Sequence, residues 1–147
     1  MKISTKGRYA LRLMLDLALR PNQDYISLKA IAQRQGLPDK YLEQIIQQLS
    51  KAGLVESARG SQGGYRLSRT PEEYNVGEIL RTVEGSLSPV ACLDWESPCD
   101  KTSNCLTIGL YRKIQAAVAS VVDNTTLADM LAECHRAPEQ KNEPCQE

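Results

Sequence analysis

Apolar residues fill all but one narrow stripe of a helix predicted near the start of the chain. Ser4 or Thr5 is suited to cap it, and the pattern continues to about Arg20. The polar stripe consists of Arg8, Arg12, Asp16 and Arg20, and the apolar remainder of Tyr9, Ala10, Leu11, Leu13, Met14, Leu15, Leu17, Ala18 and Leu19. An apolar arc this wide exceeds what one small domain covers. We therefore expect burial on two sides, one against the rest of the domain and the other against a second subunit.

Residues 27–67 predict two helices joined by a tight turn and followed by a β-hairpin. Ser27 is suited to cap the first helix, Gly36 to end it, and Pro38 keeps the preceding residue out of a helix. Asp39 falls in the first turn of the second helix, whose apolar stripe is Leu42, Ile45, Ile46 and Leu49. Two short strands, 54–57 and 65–68, flank a loop with three glycines. The predicted fold class is mainly α with a small β-hairpin wing: a winged helix-turn-helix.

The face of the second helix opposite its apolar stripe is polar. Gln pairs with adenine, Lys reaches guanine, and Glu accepts a bond from the cytosine amino group, so this face suits a major groove. On this helix alone, a solvated surface is the simpler interpretation. The glycine loop favours DNA, because it allows a close approach with the Arg59 guanidinium in the minor groove. The predicted DNA-binding residues are Ser27, Lys40, Tyr41, Glu43, Gln44, Gln47, Arg59, Gly60 and Gly63.

The second half of the chain predicts three more helices. Asn75 caps a short one that Gly85 ends, with Val76, Ile79, Leu80 and Val83 facing the core. A longer helix from about Cys105 has a helix-helix seam of Leu110, Ile114, Ala117 and Val121, widened by Leu106, Tyr111 and Val118. Packing within the domain is one explanation. We prefer a dimerisation helix, because the winged helix already has its own core. Asp123 and Asn124 break this helix, and Thr125 or Thr126 caps a last one, 127–133.

These patterns divide the 147 residues into four parts. Residues 1–85 form the DNA-binding domain, 86–104 a cysteine-rich loop, and 105–133 the dimerisation helix with a short C-terminal helix. Residues 134–147 contain two prolines without apolar periodicity, so we expect a disordered tail. The tail includes Cys134 and Cys145, to which the sequence assigns no role.

Charge is distributed unevenly although the formal net charge is zero. Residues 1–69 hold 12 Lys and Arg against 5 Asp and Glu, whereas residues 70–147 hold 6 against 13. A basic half that carries the helix-turn-helix is typical of a phosphate-binding surface, and the acidic half should point away from DNA. Arg12 and Asp16 interrupt the first apolar run, which argues against a signal peptide, and no apolar run is long enough to span a membrane. We expect a cytoplasmic protein.

Three of the five cysteines, Cys92, Cys99 and Cys105, lie within 14 residues. Their spacing is wider than the close pairs of zinc ribbons, and three thiolates on one loop suit an iron–sulfur cluster better than a tetrahedral ion. Three unrelated surface thiols are the alternative. A catalytic thiol is disfavoured, because the single histidine, His135, lies in the predicted tail and no nucleophile motif is present. We predict that the chain is not an enzyme.

Four segments together resemble the IscR family of winged-helix regulators, also called the Rrf (type two) family. They are MKISTKGRYALRLMLDLA, KYLEQIIQQLSKAGLVESARGSQGGYRLS, VGEILRTVEG and TTLADML, and the resemblance covers residues 1 to about 133. It implies a homodimer with crossed long helices and an iron–sulfur cluster, [2Fe–2S] rather than [4Fe–4S], held by the loop near the partner's first helix. It also implies that Glu43 takes part in base readout and that Arg59 enters the minor groove.

One departure from the family pattern concerns the fourth cluster ligand. The iron–sulfur members most similar to this pattern have a His three residues after the last Cys, where this chain has Ile108, and a nitric-oxide-sensing branch has an Asp where this chain has Arg8. The fourth ligand is therefore unassigned. The nearby oxygen donors are Asp94, Glu96, Asp100, Asn104 and Thr107.

The function expected from these features is a transcriptional repressor that binds a double-stranded DNA operator under control of the cluster. The alternative is a repressor of the same family controlled by a protein partner, since the resemblance extends to members without the loop that respond to a cysteine-biosynthetic enzyme. A thiol-redox enzyme or zinc-stabilised interaction module is a third possibility, and it leaves the charge asymmetry unexplained.

Overall fold

The computed structural model describes residues 2–21, 25–94 and 99–136. In these ranges, six α-helices and a two-stranded antiparallel hairpin follow one another along the chain. The elements are α1 (Thr5–Ala18), α2 (Leu28–Gln35), α3 (Asp39–Lys51), β1 (Val55–Ala58), β2 (Gly64–Leu67), α4 (Val76–Glu84), α5 (Ile108–Val122) and α6 (Leu127–Arg136). Short 3-10 turns occupy Pro71–Glu73, Ala91–Leu93 and Thr102–Asn104. The predicted fold class, a mainly helical winged helix-turn-helix, is confirmed.

Local capping explains where the helices of the helix-turn-helix begin and end. The Ser27 side chain accepts a hydrogen bond from the Ala30 amide at 3.2 Å, which caps α2. Gly36 adopts the left-handed conformation at φ 62° and ends α2, and α3 then starts at Asp39. The turn between the two helices is therefore determined by residues within it.

The core lies between α1, α3 and α4. It is formed by the apolar faces of these helices, in which Ala10, Leu13, Met14, Leu42, Ile45, Leu49 and Ile79 are fully buried. A half-buried carboxylate also joins α1 to α4: Glu84 Oε1 accepts hydrogen bonds from the amides of Ser4 and Gly7, at 2.8 and 3.0 Å. These amides lie in the first turn of α1, so Glu84 satisfies donors that the helix itself leaves unpaired.

The hairpin strands lie one residue away from their predicted positions. Val55 pairs with Leu67 and Ala58 with Gly64. Leu54 stays outside β1 because its amide donates to the Leu49 carbonyl and closes the C-terminus of α3. On the other side of the hairpin, Ile26 and Tyr65 exchange two backbone hydrogen bonds of 2.8 and 2.9 Å. The wing is thereby attached to the residue that precedes the cap of α2.

α5 packs on the winged helix through few contacts, whereas α6 packs against α1 and contributes the fully buried Leu127 to the core. Arg81 of α4 forms two hydrogen bonds with Asp123, at 2.5 and 3.0 Å. α5 begins at Ile108 instead of near Cys105, because Cys105 is extended and the Thr107 carbonyl starts the helical hydrogen bonds. α6 runs to Arg136, three residues beyond its predicted end, so residues 134–136 are helical, and the rest of the predicted tail lies outside the described residues.

Among the described helices, none combines the length and apolar character that crossing a membrane requires.

Candidate nucleic-acid interface and cysteine loop

The outer face of α3 is exposed and polar. Leu42, Ile45, Ile46 and Leu49 are at most 1% exposed, which fixes the rotation of the helix about its axis. Lys40, Glu43, Gln44 and Gln47 consequently point into solvent. The structure places these four predicted residues on one continuous face that can enter a major groove.

Tyr41 differs from its four neighbours because it is half-buried. Its ring meets the ring of Tyr9 edge to face, with centroids 5.6 Å apart. The Arg12 guanidinium lies 5.9 Å from the centroid of the Tyr9 ring. Tyr41 therefore connects α3 to α1, a structural role that the sequence did not indicate.

The tip of the wing is a tight turn that requires glycine. The Gly63 amide donates to the Gly60 carbonyl at 3.0 Å, and Gly60 has a φ of 100°. A Cβ at Gly63 would collide with the Ala58 carbonyl oxygen. Arg59 and Gly60 are exposed at this tip. The turn therefore presents the Arg59 side chain to solvent at the end of a compact hairpin.

Ser27 and the wing are brought together by the pairing of Ile26 with Tyr65. A Cβ at Gly64 would collide with the Ile26 carbonyl, so the backbones approach closely. A groove between α3 and the wing is lined by Gln44, Gln47, Gln48, Ser57 and Tyr65. The side-chain oxygen of Gln48 is buried and has no hydrogen-bond partner among the described residues. Of the predicted DNA-binding residues, Gln44 and Gln47 thus line the groove that separates α3 from the wing.

A polar network that the sequence analysis missed holds α2 against α1. Asp16 is 1% exposed and accepts hydrogen bonds from Arg34 at 2.6 Å, Gln35 at 2.9 Å and Arg20 at 3.1 Å. The hydrogen bond with Asp16 raises the pKa of Arg34. Arg12 adds a bond to the Gln35 carbonyl. The one signal in the sequence is a single acidic residue in the predominantly apolar first helix.

The three loop cysteines occupy different surroundings. Cys92 is half-buried in the 3-10 turn Ala91–Leu93, Cys99 is exposed, and Cys105 is half-buried shortly before α5. Hydrogen bonding with Thr107 Oγ1, 3.3 Å from Cys105 Sγ, lowers the pKa of the Cys105 thiol. A lowered pKa favours the thiolate, the form that binds metals.

The donor chemistry of the loop fits an iron–sulfur cluster, whereas the single chain does not bring its donors together. Among the described residues, no group of three His, Cys, Asp or Glu side chains is positioned to hold a metal ion. Asp94 is engaged by Ser86 and Ser88, which lower the pKa of its carboxyl. Ile108 is buried, Asp100 and Asn104 are exposed, and Glu96 lies outside the described residues. The fourth ligand thus stays unassigned.

The loop is attached to α5 by polar contacts. Gln115 Nε2 donates to Ser88 Oγ at 2.8 Å. Ser86 and Asp94 are joined by a hydrogen bond, which closes the segment that contains Cys92. A rearrangement around Cys92 can therefore shift α5 through the hydrogen bond between Ser88 and Gln115.

Comparison with known proteins gives one consistent family. Residues 3–133 match the family model Rrf2, described as an iron-dependent transcriptional regulator. The HTH-type transcriptional regulator CymR of Bacillus subtilis is 45% identical over 130 residues, which are 88% of this chain and 89% of CymR. The HTH-type transcriptional regulator IscR of Aliivibrio salmonicida is 39% identical over 133 residues, 90% of this chain and 79% of IscR.

Solved structures support the same relationship. The structure of T. potens IscR superposes with a TM-score of 0.76 at 42% identity, covering 96% of this chain and 93% of that one. The relatives named here are transcriptional regulators and not enzymes, which confirms the prediction that the chain is not an enzyme. The resemblance drawn from the sequence is also confirmed: the chain belongs to the Rrf2 family of DNA-binding transcriptional regulators.

Proposed function

We propose that this regulator is a cytoplasmic, homodimeric repressor whose affinity for its operator depends on an iron–sulfur cluster bound by Cys92, Cys99 and Cys105. Three thiols in a loop that contacts α5 are the observation that carries the proposal. The description of the family as iron-dependent supports it as well. We favour a [2Fe–2S] over a [4Fe–4S] cluster.

On the DNA side, α3 lies in the major groove and the wing in the minor groove. Glu43, Gln44, Gln47 and Lys40 are exposed on the face of α3 that reads base edges, and Arg59 is exposed at the wing tip. Ser27, Tyr41, Gly60 and Gly63 shape the surface between them or contact phosphates there. Backbone contacts fix the position of the protein, whereas the α3 side chains discriminate sequence.

The homodimer forms through α5. Leu110 and Val121 are 59% and 63% exposed on one face of α5, and Leu106, in the turn just before the helix, is completely exposed. Apolar side chains in a row at this exposure indicate an interface between proteins. A dimer also suits operator binding, because two recognition helices must match half-sites about one helical turn apart.

Binding of the cluster would couple the conformation of the cysteine loop to the position of α5 in the proposed dimer. Cys92, Cys99 and Cys105 would contribute thiolates, and their convergence would require the loop to close, since the described residues hold no assembled metal group. Closure acts on Ser88 and on the segment before α5, which are the points where the loop contacts α5. A change in the angle of α5 alters the spacing of the two α3 helices and hence operator affinity.

Purification without oxygen tests the cofactor. The wild-type protein should absorb visible light and contain iron and sulfide, and Cys92→Ala, Cys99→Ala and Cys105→Ala should each lose these properties. Cys134→Ala is the matched control, because Cys134 is an exposed thiol in α6 outside the loop. A colourless, iron-free wild-type protein prepared in this way would refute cluster binding.

Control by a protein partner is the second candidate, favoured by the 45% identity to CymR and by the dispersed loop cysteines. Under this alternative, the three loop variants bind operator like the wild type. Addition of a purified cysteine-biosynthetic enzyme would instead change the operator Kd.

A further inference from the structure

Tyr74 lies at the base of the wing, just after the 3-10 turn Pro71–Glu73, and is completely buried. Its hydroxyl donates to the Leu54 carbonyl at 2.6 Å. The same oxygen accepts hydrogen bonds from the amides of Ser68 and Arg69, at 2.9 and 3.0 Å. A phenol has one donor and two acceptor positions, so all three are used.

These contacts join the two ends of the hairpin. Leu54 immediately precedes β1, and Ser68 and Arg69 immediately follow β2. One hydroxyl therefore holds the entry and the exit of the wing. The Ile26–Tyr65 pair fixes only the outer edge of β2, whereas Tyr74 fixes the base of the hairpin.

Tyr74 is also linked to α4 and to α6. The Arg69 guanidinium lies 4.4 Å from the ring centroid and forms a 2.8 Å ion pair with Glu78 of α4. The Tyr74 carbonyl accepts a hydrogen bond from the Leu127 amide of α6 at 3.1 Å. Movement of Tyr74 is thus restricted by α4 and α6, and its hydroxyl transmits that restriction to the wing.

We infer that Tyr74 is a positioning residue for DNA binding: its hydroxyl sets the tilt of the wing relative to α3. The inference rests on the proposed contact of Arg59 with DNA. A four-residue strand is about 13 Å long, so a tilt of about 10° at the base displaces the tip by about 2 Å. A displacement of this size is enough to lose a minor-groove contact.

The test is a double-mutant cycle on operator affinity. Tyr74→Phe removes only the hydroxyl. It should raise the operator Kd about tenfold, which is the size of effect that the loss of a buried hydrogen-bond partner can produce. In an Arg59→Ala background, Tyr74→Phe should have no further effect, because the tip contact is already absent. In a Glu43→Ala background, the tenfold effect should persist, because α3 is a separate contact.

Controls separate positioning from stability. Thr82→Val removes a hydroxyl that donates to the Glu78 carbonyl at 2.8 Å within α4, and should lower Tm without changing the Kd. If Tyr74→Phe folds poorly, Arg69→Gln provides a second test of the wing tilt, since it keeps the hydroxyl but removes the contacts of the Arg69 side chain with the Tyr74 ring and Glu78 that hold Tyr74 in place. Its effect should likewise vanish with Arg59→Ala.

Three outcomes would overturn the inference. An unchanged Kd in folded Tyr74→Phe, or an equal loss in the Arg59→Ala and Glu43→Ala backgrounds, would leave Tyr74 as a purely structural residue. An unchanged Kd in Arg59→Ala alone would remove the proposed wing contact, and the inference with it. None of these outcomes depends on the presence of a cluster.

Discussion

At the scale of single residues, the proposed function assigns two different kinds of DNA contact to Glu43 and Arg59. Glu43 is exposed in the middle of α3, where a carboxylate accepts a hydrogen bond from one cytosine. Arg59 is exposed on a turn, and its positive charge would be attracted to the minor groove of many sequences in the proposed complex. The first residue should therefore determine sequence preference, and the second overall affinity.

Replacement of Glu43 by Ala should relax the preference at one base-pair position, with a discrimination loss of about 1–3 kcal/mol. Duplex selection followed by binding titrations against all four bases at each position measures this loss. Arg59→Ala is the comparison, because it should weaken binding to all of these duplexes alike. An unaltered preference in Glu43→Ala would show that α3 does not read bases through this residue.

The buried Asp16 determines how α2 sits on α1. It is the one buried charged residue among the described residues, and two arginines and an amide surround it. Asp16→Ala leaves these donors without their acceptor and should lower the free energy of unfolding by about 2–3 kcal/mol. Urea denaturation measures the change. Glu56→Ala, which breaks an exposed pair with Arg66, should cost less than about 1 kcal/mol; an equal cost would contradict this role of Asp16.

At the scale of elements, the helices are held together by polar contacts at their ends. Glu84 caps α1 from α4, and Arg81 of α4 pairs with Asp123 at the end of α5. A Cβ at Gly77 would collide with the Asp123 carboxylate and the Arg81 guanidinium, so a side chain at this position of α4 would displace the Arg81–Asp123 pair. α4 is therefore the element that links the DNA-binding core to α5.

The Arg81–Asp123 pair should make this link sensitive to acid. The hydrogen bond with Arg81 lowers the pKa of Asp123 in the folded protein. Its stabilisation is therefore complete above the pKa of the unfolded chain and is lost as the pH falls through the lower folded value. Both groups are about two-fifths exposed, so the effect is below about 1 kcal/mol.

Comparison of the wild type with Asp123→Asn measures this effect. The difference in Tm between the two proteins should be present at about pH 6 and should shrink at about pH 3. A difference that is constant across this range would show that the charge of Asp123 contributes nothing.

The whole molecule combines a DNA-reading surface with an exposed apolar helix face. Of α5, only Ile108 is buried in the single chain, which is why we propose that a second subunit packs on this helix. The surplus of Lys and Arg lies in residues 1–69, the part of the chain that contains α3 and the wing, and the acidic second half carries the proposed dimer contacts. Binding to DNA should consequently weaken steeply as salt increases, through release of counterions.

Val121→Glu should disrupt the dimer, because it places a charge on the exposed apolar face of α5. The dissociation constant of the dimer, measured by sedimentation equilibrium, should rise about tenfold or more. Ala116→Glu is the matched control, since Ala116 is exposed on the opposite side of the same helix. Equal effects of the two variants, or none, would argue against α5 as the interface.

Local features were predictable from the sequence, and tertiary ones were not. The caps at Ser27 and Asn75 and the left-handed Gly36 depend on neighbours within a few residues, so their patterns are visible in the chain. Two of the three partners of Asp16, Arg34 and Gln35, lie 18 and 19 residues away and are determined only by the packing of α2. The three cysteines are conspicuous by their spacing, but spacing does not determine whether their sulfur atoms converge.

The most direct test of the account is the operator affinity of one preparation measured with and without its iron. Protein purified without oxygen would be titrated with its selected duplex before and after removal of iron by a chelator, alongside Cys105→Ala. We expect the wild-type Kd to change by about tenfold or more and the Cys105→Ala Kd to stay constant. An equal Kd for both forms of the wild type would contradict control by a cluster.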